Sequence, residues 1–326
     1  MSTVVPFLSI VQNSQLSLMY KNKRVVILEC TSDNNESIVK LAPIRKDEEG
    51  FQHEVYFYKV YAHMHAWDLV PAAMRLYTAG AIQPDQVAVT SLNEYYSNFG
   101  PTPGPLYFMV MERLDMDMTR YVVTCSRQLC AKNMHTNVAV MLFQVLFVLT
   151  QLNRCLGFLH GDLHSSNVFL KRLPEKTVFQ YNVNDTLYSV STSYVPVLAD
   201  MYYATHRSDA FKHTTWTHSK IQKIKPEQAH LHDFRYLLMR LTDKNHNYFY
   251  KSKALTSFAH FVLHKAKTVD DVFGHPVFAF LKSTTALMDT SKQHRLFQDA
   301  DEFNAWLIQS HCVREKKREK KKCRKG

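Results

Sequence analysis

The strongest constraint on the fold is a long helical pattern of apolar residues that leads into a short polar segment. Residues 136–156 carry apolar side chains at helical spacing, and the segment His-Gly-Asp-Leu-His-Ser-Ser-Asn-Val occupies residues 160–168. A helix this apolar must be buried, so the pattern predicts a core with a polar loop at its end. The longest apolar run, 139–149, is interrupted by Gln144 and is too short to cross a bilayer, so we expect no membrane span.

The rest of the chain divides into a β-rich part and a helical part. Four short strand patterns precede residue 45, and a helical period follows at 47–66. Two further apolar strands come next, and the chain is mostly helical after residue 114. This order predicts an α+β fold with two lobes, a β-rich N-lobe at 1–113 and a helical C-lobe at 114–312. The expected strands are 7–11, 16–20, 24–30, 37–41, 72–76 and 106–111.

Composition and charge add expectations about compartment and partners. The six cysteines show no paired spacing and the first twenty residues lack a secretory pattern, so we expect an intracellular protein, cytoplasmic or nuclear. Residues 314–325 carry nine Lys or Arg and two Glu, a net +7 of the formal +11. We expect 313–326 to be a disordered tail that is open to an anionic partner or an import receptor.

The polar segment places an aspartate and an asparagine five residues apart in one loop. Asp162 and Asn167 fit the pattern H-x-D-L-x-x-x-N, in which the aspartate is a base and the asparagine a metal ligand. A carboxylate can orient the proton of an acceptor hydroxyl, and an amide oxygen can coordinate Mg²⁺. A capped turn without catalytic function would also contain these residue types, so the interpretation depends on further matches.

Further matches occur in a fixed order along the chain. Lys40 ends a β-branched strand pattern, and Glu54 follows fourteen residues later on the predicted helix 47–66. An apolar strand then leads into the connection between the lobes, and a second one, 197–200, ends in Asp200. Each match alone is weak, because many strands end in an exposed lysine or an aspartate. Together with the polar segment they predict one site.

In combination these residues resemble the protein-kinase-like superfamily. The His-Gly-Asp-Leu variant is similar to loops of aminoglycoside- and choline-type phosphotransferases and of the serine/threonine kinases of large DNA viruses. The resemblance implies a cleft between the lobes that binds ATP and Mg²⁺. It implies that Lys40 contacts the phosphates and pairs with Glu54, that Asn167 and Asp200 bind the metal, and that Asp162 is the catalytic base at the acceptor hydroxyl.

The resemblance extends over residues 25–240 and includes the connection between the lobes. The sequence Leu-Tyr-Phe-Met-Val-Met-Glu-Arg-Leu is close to a kinase fifth strand and the connection that follows it. By that similarity Met111 is the gatekeeper at the back of the nucleotide pocket. The backbone at Glu112 and at Arg113 or Leu114 is then expected to bond adenine.

Two departures from the family pattern bear on activity. No glycine precedes Gly50, so the glycine-rich cover of the phosphates is missing, and we expect residues 13–15 to form that turn. Met201 and Tyr202 stand where the family has Phe and Gly after the metal aspartate. Metal binding can survive this change because the aspartate is kept, but a backbone flip at a glycine cannot occur.

The region between Asp162 and Asp200 is long and contains two strand patterns, 178–183 and 187–190. They predict an inserted hairpin, similar to one in the kinase-like proteins of large DNA viruses; a viral protein would act in the host cell. Further along, Asp233 suits the buried aspartate of the next helix. Glu227 in Pro-Glu is a doubtful match to the A-P-E signature, since it lies too close to Asp233.

Three functions remain open at this point. The first is a serine/threonine protein kinase that acts on a protein hydroxyl. The second is a small-molecule kinase of the aminoglycoside or choline type, which His164 favours because it stands where protein kinases usually have a lysine. The third is a pseudokinase scaffold, favoured by the missing glycines and opposed by the intact set of polar residues.

Overall fold

The computed structural model describes residues 4–32, 35–44, 49–88, 90–99, 104–205, 229–243, 247–289 and 292–307. It confirms the α+β class, with a β-rich first part and a mostly helical second part. The first part is an antiparallel sheet in the order β1-β2-β3-β5-β4, together with helices α1 to α4. Its elements are α1 (Val4–Gln12), β1 (Gln15–Lys21), β2 (Val26–Ser32), β3 (Asn35–Pro43), α2 (Glu49–Ala66), β4 (Leu76–Ile82), α3 (Pro84–Ala88), α4 (Asn93–Tyr96) and β5 (Leu106–Glu112).

Two expected strands in this part are wrong. Residues 7–11 belong to α1, where Phe7 stacks on Phe108 of the sheet with ring centroids 3.8 Å apart. The strand expected at 72–76 begins only at Leu76, because the preceding residues pack in the core as an irregular segment. In both cases a short apolar run indicated burial correctly but could not specify the backbone conformation.

The turn between β1 and β2 also lies later than expected. Residues 13–15 only join α1 to β1, and the hairpin turn is formed around Asn22. The Asn22 side-chain oxygen accepts hydrogen bonds from the backbone N–H groups of Arg24 at 2.7 Å and Val25 at 2.9 Å. An asparagine side chain can replace a backbone acceptor in this way, so the turn closes without glycine.

The second part is built around one buried helix. Helix α6 (Ala131–Leu156) is long and apolar enough to cross a membrane by composition, but 94% of its most apolar window is buried inside the protein. Gly157, with a φ of 66°, ends this helix in the left-handed conformation and directs the chain into the polar loop. The other elements are β6 (Met116–Asp117), α5 (Met118–Gln128), β7 (Val168–Val183), β8 (Thr186–Leu198), α7 (Ala229–Leu241), α8 (Lys253–His264), α9 (Val269–Phe273) and β9 (Gln293–Arg295).

The long hairpin of β7 and β8 occupies the place of the expected insertion. Strand β7 also pairs with β6 near its start and with β9 near its end, and together these strands make a second sheet. The first sheet ends at Glu112 and the second begins at Met116, so the expected lobe boundary falls in the short connection between them. The expectations for Glu227 and for the tail 313–326 lie outside the described residues.

Candidate active site

A lysine, a glutamate and an aspartate from three different elements meet in the cleft between the two parts. Lys40 Nζ on β3 lies 2.8 Å from Glu54 Oε1 on α2 and 2.9 Å from Asp200 Oδ1, just after β8. The Glu54 side chain is 1% exposed and that of Lys40 is 13% exposed, whereas that of Asp200 is 45% exposed. The buried Glu54 carboxylate therefore holds the lysine in place, whereas the Asp200 side chain is accessible to a ligand.

The electrostatics of this group keep the lysine charged. Burial alone would lower the pKa of Lys40, but the carboxylates of Glu54 and Asp200 raise it above its ordinary value. Burial likewise opposes ionisation of Asp200, but the Lys40 ammonium holds the pKa of that carboxyl below its usual range. An ammonium beside an ionised, accessible carboxylate suits a ligand that carries both phosphate and a divalent cation.

The backbone of Asp200 is held in an unusual conformation. Its φ of 55° and ψ of 60° lie in the left-handed region, and the short 3-10 helix Met201–Tyr203 follows directly. The Asp200 backbone N–H donates to the Tyr58 hydroxyl at 2.9 Å. Tyr58 is on α2, one turn after Glu54, so the helix that carries the glutamate also contacts Asp200.

A buried aspartate of α7 holds the polar loop in place through two hydrogen bonds to its backbone. Asp233 on α7, which is 1% exposed, accepts hydrogen bonds from the backbone N–H groups of His160 at 2.6 Å and Gly161 at 3.0 Å. Gly161 has a φ of 80°, which favours glycine at this position. Burial raises the pKa of Asp233 to about 7, although both N–H groups oppose the shift. The structure thus confirms that Asp233 is the buried aspartate of this helix, and it adds the contacts to the polar loop, which the sequence did not predict.

The loop is also connected to the segment that carries Asp200. His160 Nε2 donates to the Ala199 carbonyl at 2.9 Å, and burial lowers the pKa of His160 to about 4, so its ring is neutral. The Asn167 carbonyl accepts from the Ala199 N–H at 2.9 Å, and Asn167 Nδ2 donates to the Asp162 carbonyl at 3.0 Å. The Asn167 amide is thereby oriented with its nitrogen toward the loop.

Asp162 lies at the surface of this loop with its carboxylate half-buried. Burial raises its pKa; the Asp200 carboxylate adds to the shift, and His164 and Arg240 oppose it. A carboxylate whose pKa is raised is a better proton acceptor than an ordinary aspartate. Asp162 therefore has the exposure and the basicity that a base toward an acceptor hydroxyl requires.

The connection between the lobes is held by ion pairs to both parts. Glu112 pairs with Lys171 of β7 at 2.7 Å, while Arg113 pairs with Glu36 at 2.6 Å and also with Glu29. These contacts tie the connection to the hairpin of the second part and to strands β2 and β3 of the first.

Backbone donors at the connection are only partly free for adenine. Met111 is buried near the end of β5 and pairs with Ile38 of β3, and its role as gatekeeper stays a prediction. The Glu112 N–H already donates to the Arg75 carbonyl at 2.8 Å, so it cannot serve as a donor to a base. Contact of the backbone at Glu112, Arg113 or Leu114 with adenine stays a prediction.

Comparisons with known proteins add a general likeness only. No protein-family model and no curated protein matches this sequence. Among solved structures, WaaP in complex with acyl carrier protein is similar with a TM-score of 0.42 and 13% identity, covering 85% of this chain and 89% of that one. A Plasmodium kinase domain is similar with a TM-score of 0.37 and 15% identity, covering 62% and 55%. The functional argument therefore depends on the side-chain geometry.

Sequence reasoning missed Tyr58 as a member of the site. Its only local signal is the spacing of four residues from Glu54, which puts both side chains on one face of α2. The bond that matters joins residues 58 and 200, and no local pattern indicates a contact over that distance.

Proposed function

We propose that this protein is an ATP- and Mg²⁺-dependent phosphotransferase whose cleft lies between the two sheets. One observation carries the proposal: Lys40, Glu54 and Asp200 meet within hydrogen-bond distance, although they come from a strand, a helix and a loop that are far apart in sequence. A structural role alone does not require an accessible aspartate beside a lysine that is fixed by a buried glutamate. Phosphate binding does, since it needs a cation held in place near a metal ligand.

The residues present fit a divalent cation with hard oxygen ligands. Asp200 offers an accessible carboxylate, and Asn167 offers an amide oxygen because its nitrogen is already bonded to the loop. Within the described ranges no three His, Cys, Asp or Glu side chains form a potential metal cluster. Mg²⁺ commonly binds through one or two protein groups and substrate phosphates, so Asn167 and Asp200 suffice. The ion would neutralise phosphate charge during transfer.

The protein's own residues perform the remaining steps. Lys40 binds the phosphates, and Glu54 keeps its ammonium in place. Asp162 accepts or orients the proton of the acceptor hydroxyl, for which its raised pKa suits it. Asp233 and Gly161 keep the loop that carries Asp162 in one conformation. Positioning and charge neutralisation then account for catalysis, without a covalent enzyme intermediate.

We infer a serine or threonine hydroxyl of a protein as the acceptor, as the sequence resemblance implies. A small alcohol is the alternative, and it is supported by His164 two residues after the base. The experiment offers the purified protein labelled ATP and Mg²⁺ with casein, a basic protein and a panel of small alcohols. Label in protein supports the first acceptor class, and label only in a small alcohol supports the second.

The same assay separates an enzyme from a scaffold. Asp162→Asn should abolish transfer, and Asp85→Asn at an exposed position of α3 is the matched control that should keep it. If the wild-type protein binds Mg-ATP but labels none of these acceptors, the scaffold interpretation replaces the proposal.

A further inference from the structure

The metal aspartate is held at its backbone by a tyrosine of α2. Tyr58 is 2% exposed, and its hydroxyl accepts the hydrogen bond from the Asp200 N–H at 2.9 Å. The same hydroxyl donates to Glu54 Oε1 at 3.4 Å. One O–H group therefore bridges the glutamate that fixes Lys40 and the residue expected to bind the metal.

This bond is significant because Asp200 has a left-handed backbone. For a residue other than glycine this region is sparsely populated, and it persists only where surrounding contacts hold it. Lys40 contacts the carboxylate of Asp200, whereas Tyr58 contacts the backbone itself. Since φ and ψ set the direction of the Cα–Cβ bond, the backbone contact limits the directions in which the Asp200 carboxylate can point.

A second contact limits movement of the same segment. The Tyr202 ring packs against the backbone of Gly50 in the first turn of α2. A Cβ atom at Gly50 would lie only 2.5 Å from Tyr202 Cε2, so no larger residue fits there unless the ring moves. Together, Gly50 and Tyr58 contact the segment from two turns of α2. A change in the Asp200 backbone would require displacement of the helix or loss of the Tyr58 bond.

We propose that Tyr58 is a positioning residue whose hydroxyl holds Asp200 in the backbone conformation that presents its carboxylate to a divalent cation. Asp200 then has its metal-binding conformation before nucleotide binds. Tyr202 stands where a glycine would allow the backbone of this segment to flip, so we expect the conformation to be kept. The metal-dependent part of this inference rests on the proposed function.

The test compares Tyr58→Phe with Tyr61→Phe, which removes a hydroxyl from an equally buried tyrosine of the same helix. The Tyr61 hydroxyl faces the backbone of Leu198, two residues before Asp200, so this variant controls for loss of a buried hydroxyl near the same segment. In the nucleotide-free protein, hydrogen exchange of the Asp200 amide should become about tenfold faster in Tyr58→Phe only, the effect of losing one hydrogen bond. The Mg²⁺ concentration that gives half-maximal ATP binding should rise several-fold in the same variant, with little change in ATP affinity at saturating Mg²⁺.

Several outcomes would overturn the inference. One is unchanged exchange at Asp200, or an equal change in both variants. Another is a lower Tm of Tyr58→Phe with an unchanged Mg²⁺ requirement, which would make the tyrosine a packing residue only. If the wild-type protein binds no ATP at any Mg²⁺ concentration, the proposed function is wrong, and exchange at Asp200 still decides whether Tyr58 holds its backbone.

Discussion

The two aspartates of the cleft are positioned in different ways. Asp200 is held both at its carboxylate, by the ammonium of Lys40, and at its backbone N–H, by the hydroxyl of Tyr58. Asp162 is fixed through its backbone, because Asp233 binds the two residues before it and Asn167 binds its carbonyl. Their pKa values move in opposite directions: below the usual range for Asp200, where a cation is near, and above it for Asp162, where burial dominates.

The difference fits the division of tasks that we propose for the two aspartates. A metal ligand should stay ionised and rigid, and an adjacent ammonium provides both properties. A base must accept a proton, so its side chain needs an environment that does not favour the charged form strongly. His160 joins the two regions, because its backbone contacts Asp233 and its ring contacts the residue before Asp200.

Asp162→Asn should have the largest effect. It removes the charge but keeps the shape, so turnover should fall by about 10²–10⁴-fold, while the affinity for Mg-ATP changes little. Phosphate transfer and ATP affinity measured on one preparation check this. A parallel loss of ATP affinity would show that Asp162 contributes to nucleotide binding, and the proposed contrast between Asp162 and Asp200 would then be wrong.

Asp233→Ala tests whether the base is positioned through the backbone. Two buried N–H groups lose their acceptor, so the free energy of unfolding should fall by about 3 kcal/mol. Asp233→Asn keeps one oxygen and should lose less. Urea denaturation measures both, and near-wild-type stability of the alanine variant would contradict the anchoring role.

The stability of the folded protein should also depend on pH through His230, which lies on the same helix as Asp233. Burial lowers the pKa of His230 from 6.5 to about 4 in the folded protein, where its ring contacts Asn153. Between these pH values the unfolded chain binds more protons, so His230 makes the folded state less stable as pH falls, by about 3 kcal/mol in total.

The difference in unfolding free energy between wild type and His230→Gln isolates this effect, because Asp233, with its raised pKa, acts in the opposite direction over part of the range. That difference should change by about 3 kcal/mol between pH 7 and pH 4. Ser257→Ala, at an exposed position of α8, removes no titratable group, so it is the control and should show no such change. A constant difference for His230→Gln would mean that its ring is accessible to protons in the folded protein.

Lys40→Met tests the group formed by Lys40, Glu54 and Asp200. Loss of the ammonium removes a charged contact to phosphate, so Mg-ATP binding should weaken by about 2 kcal/mol. Thermal shift with Mg-ATP is the measurement, and Lys59→Met at an exposed position of α2 serves as control. An equal shift with EDTA in the wild-type protein would instead indicate a metal-independent pocket.

Gly50→Ala should have the smallest effect, about 1 kcal/mol of lost stability, because a Cβ atom would contact the Tyr202 ring. Gly104→Ala is the matched control, since a Cβ atom at that position would have no neighbour within 4 Å among the described residues. Equal Tm values for the two variants would show that α2 and the segment after Asp200 can separate easily.

The sequence by itself predicted the class of fold, the buried helix α6, the inserted hairpin and, through the family resemblance, the pairing of Lys40 with Glu54. These features depend on local information: apolar periodicity, β-branched strands and short polar spacings. The roles of Lys40, Glu54, Asp162, Asn167 and Asp200 toward a nucleotide stay predictions.

Only the tertiary structure decided the conformation of residues 7–11, the place of the β1–β2 turn and the contact of Tyr58 with Asp200. A short apolar run is compatible with a strand or a helix, and the sheet beneath α1 selects between them. A hydrogen bond between residues far apart in sequence depends on how α2 packs against the end of β8. That arrangement results from packing of the whole core, which local sequence does not encode.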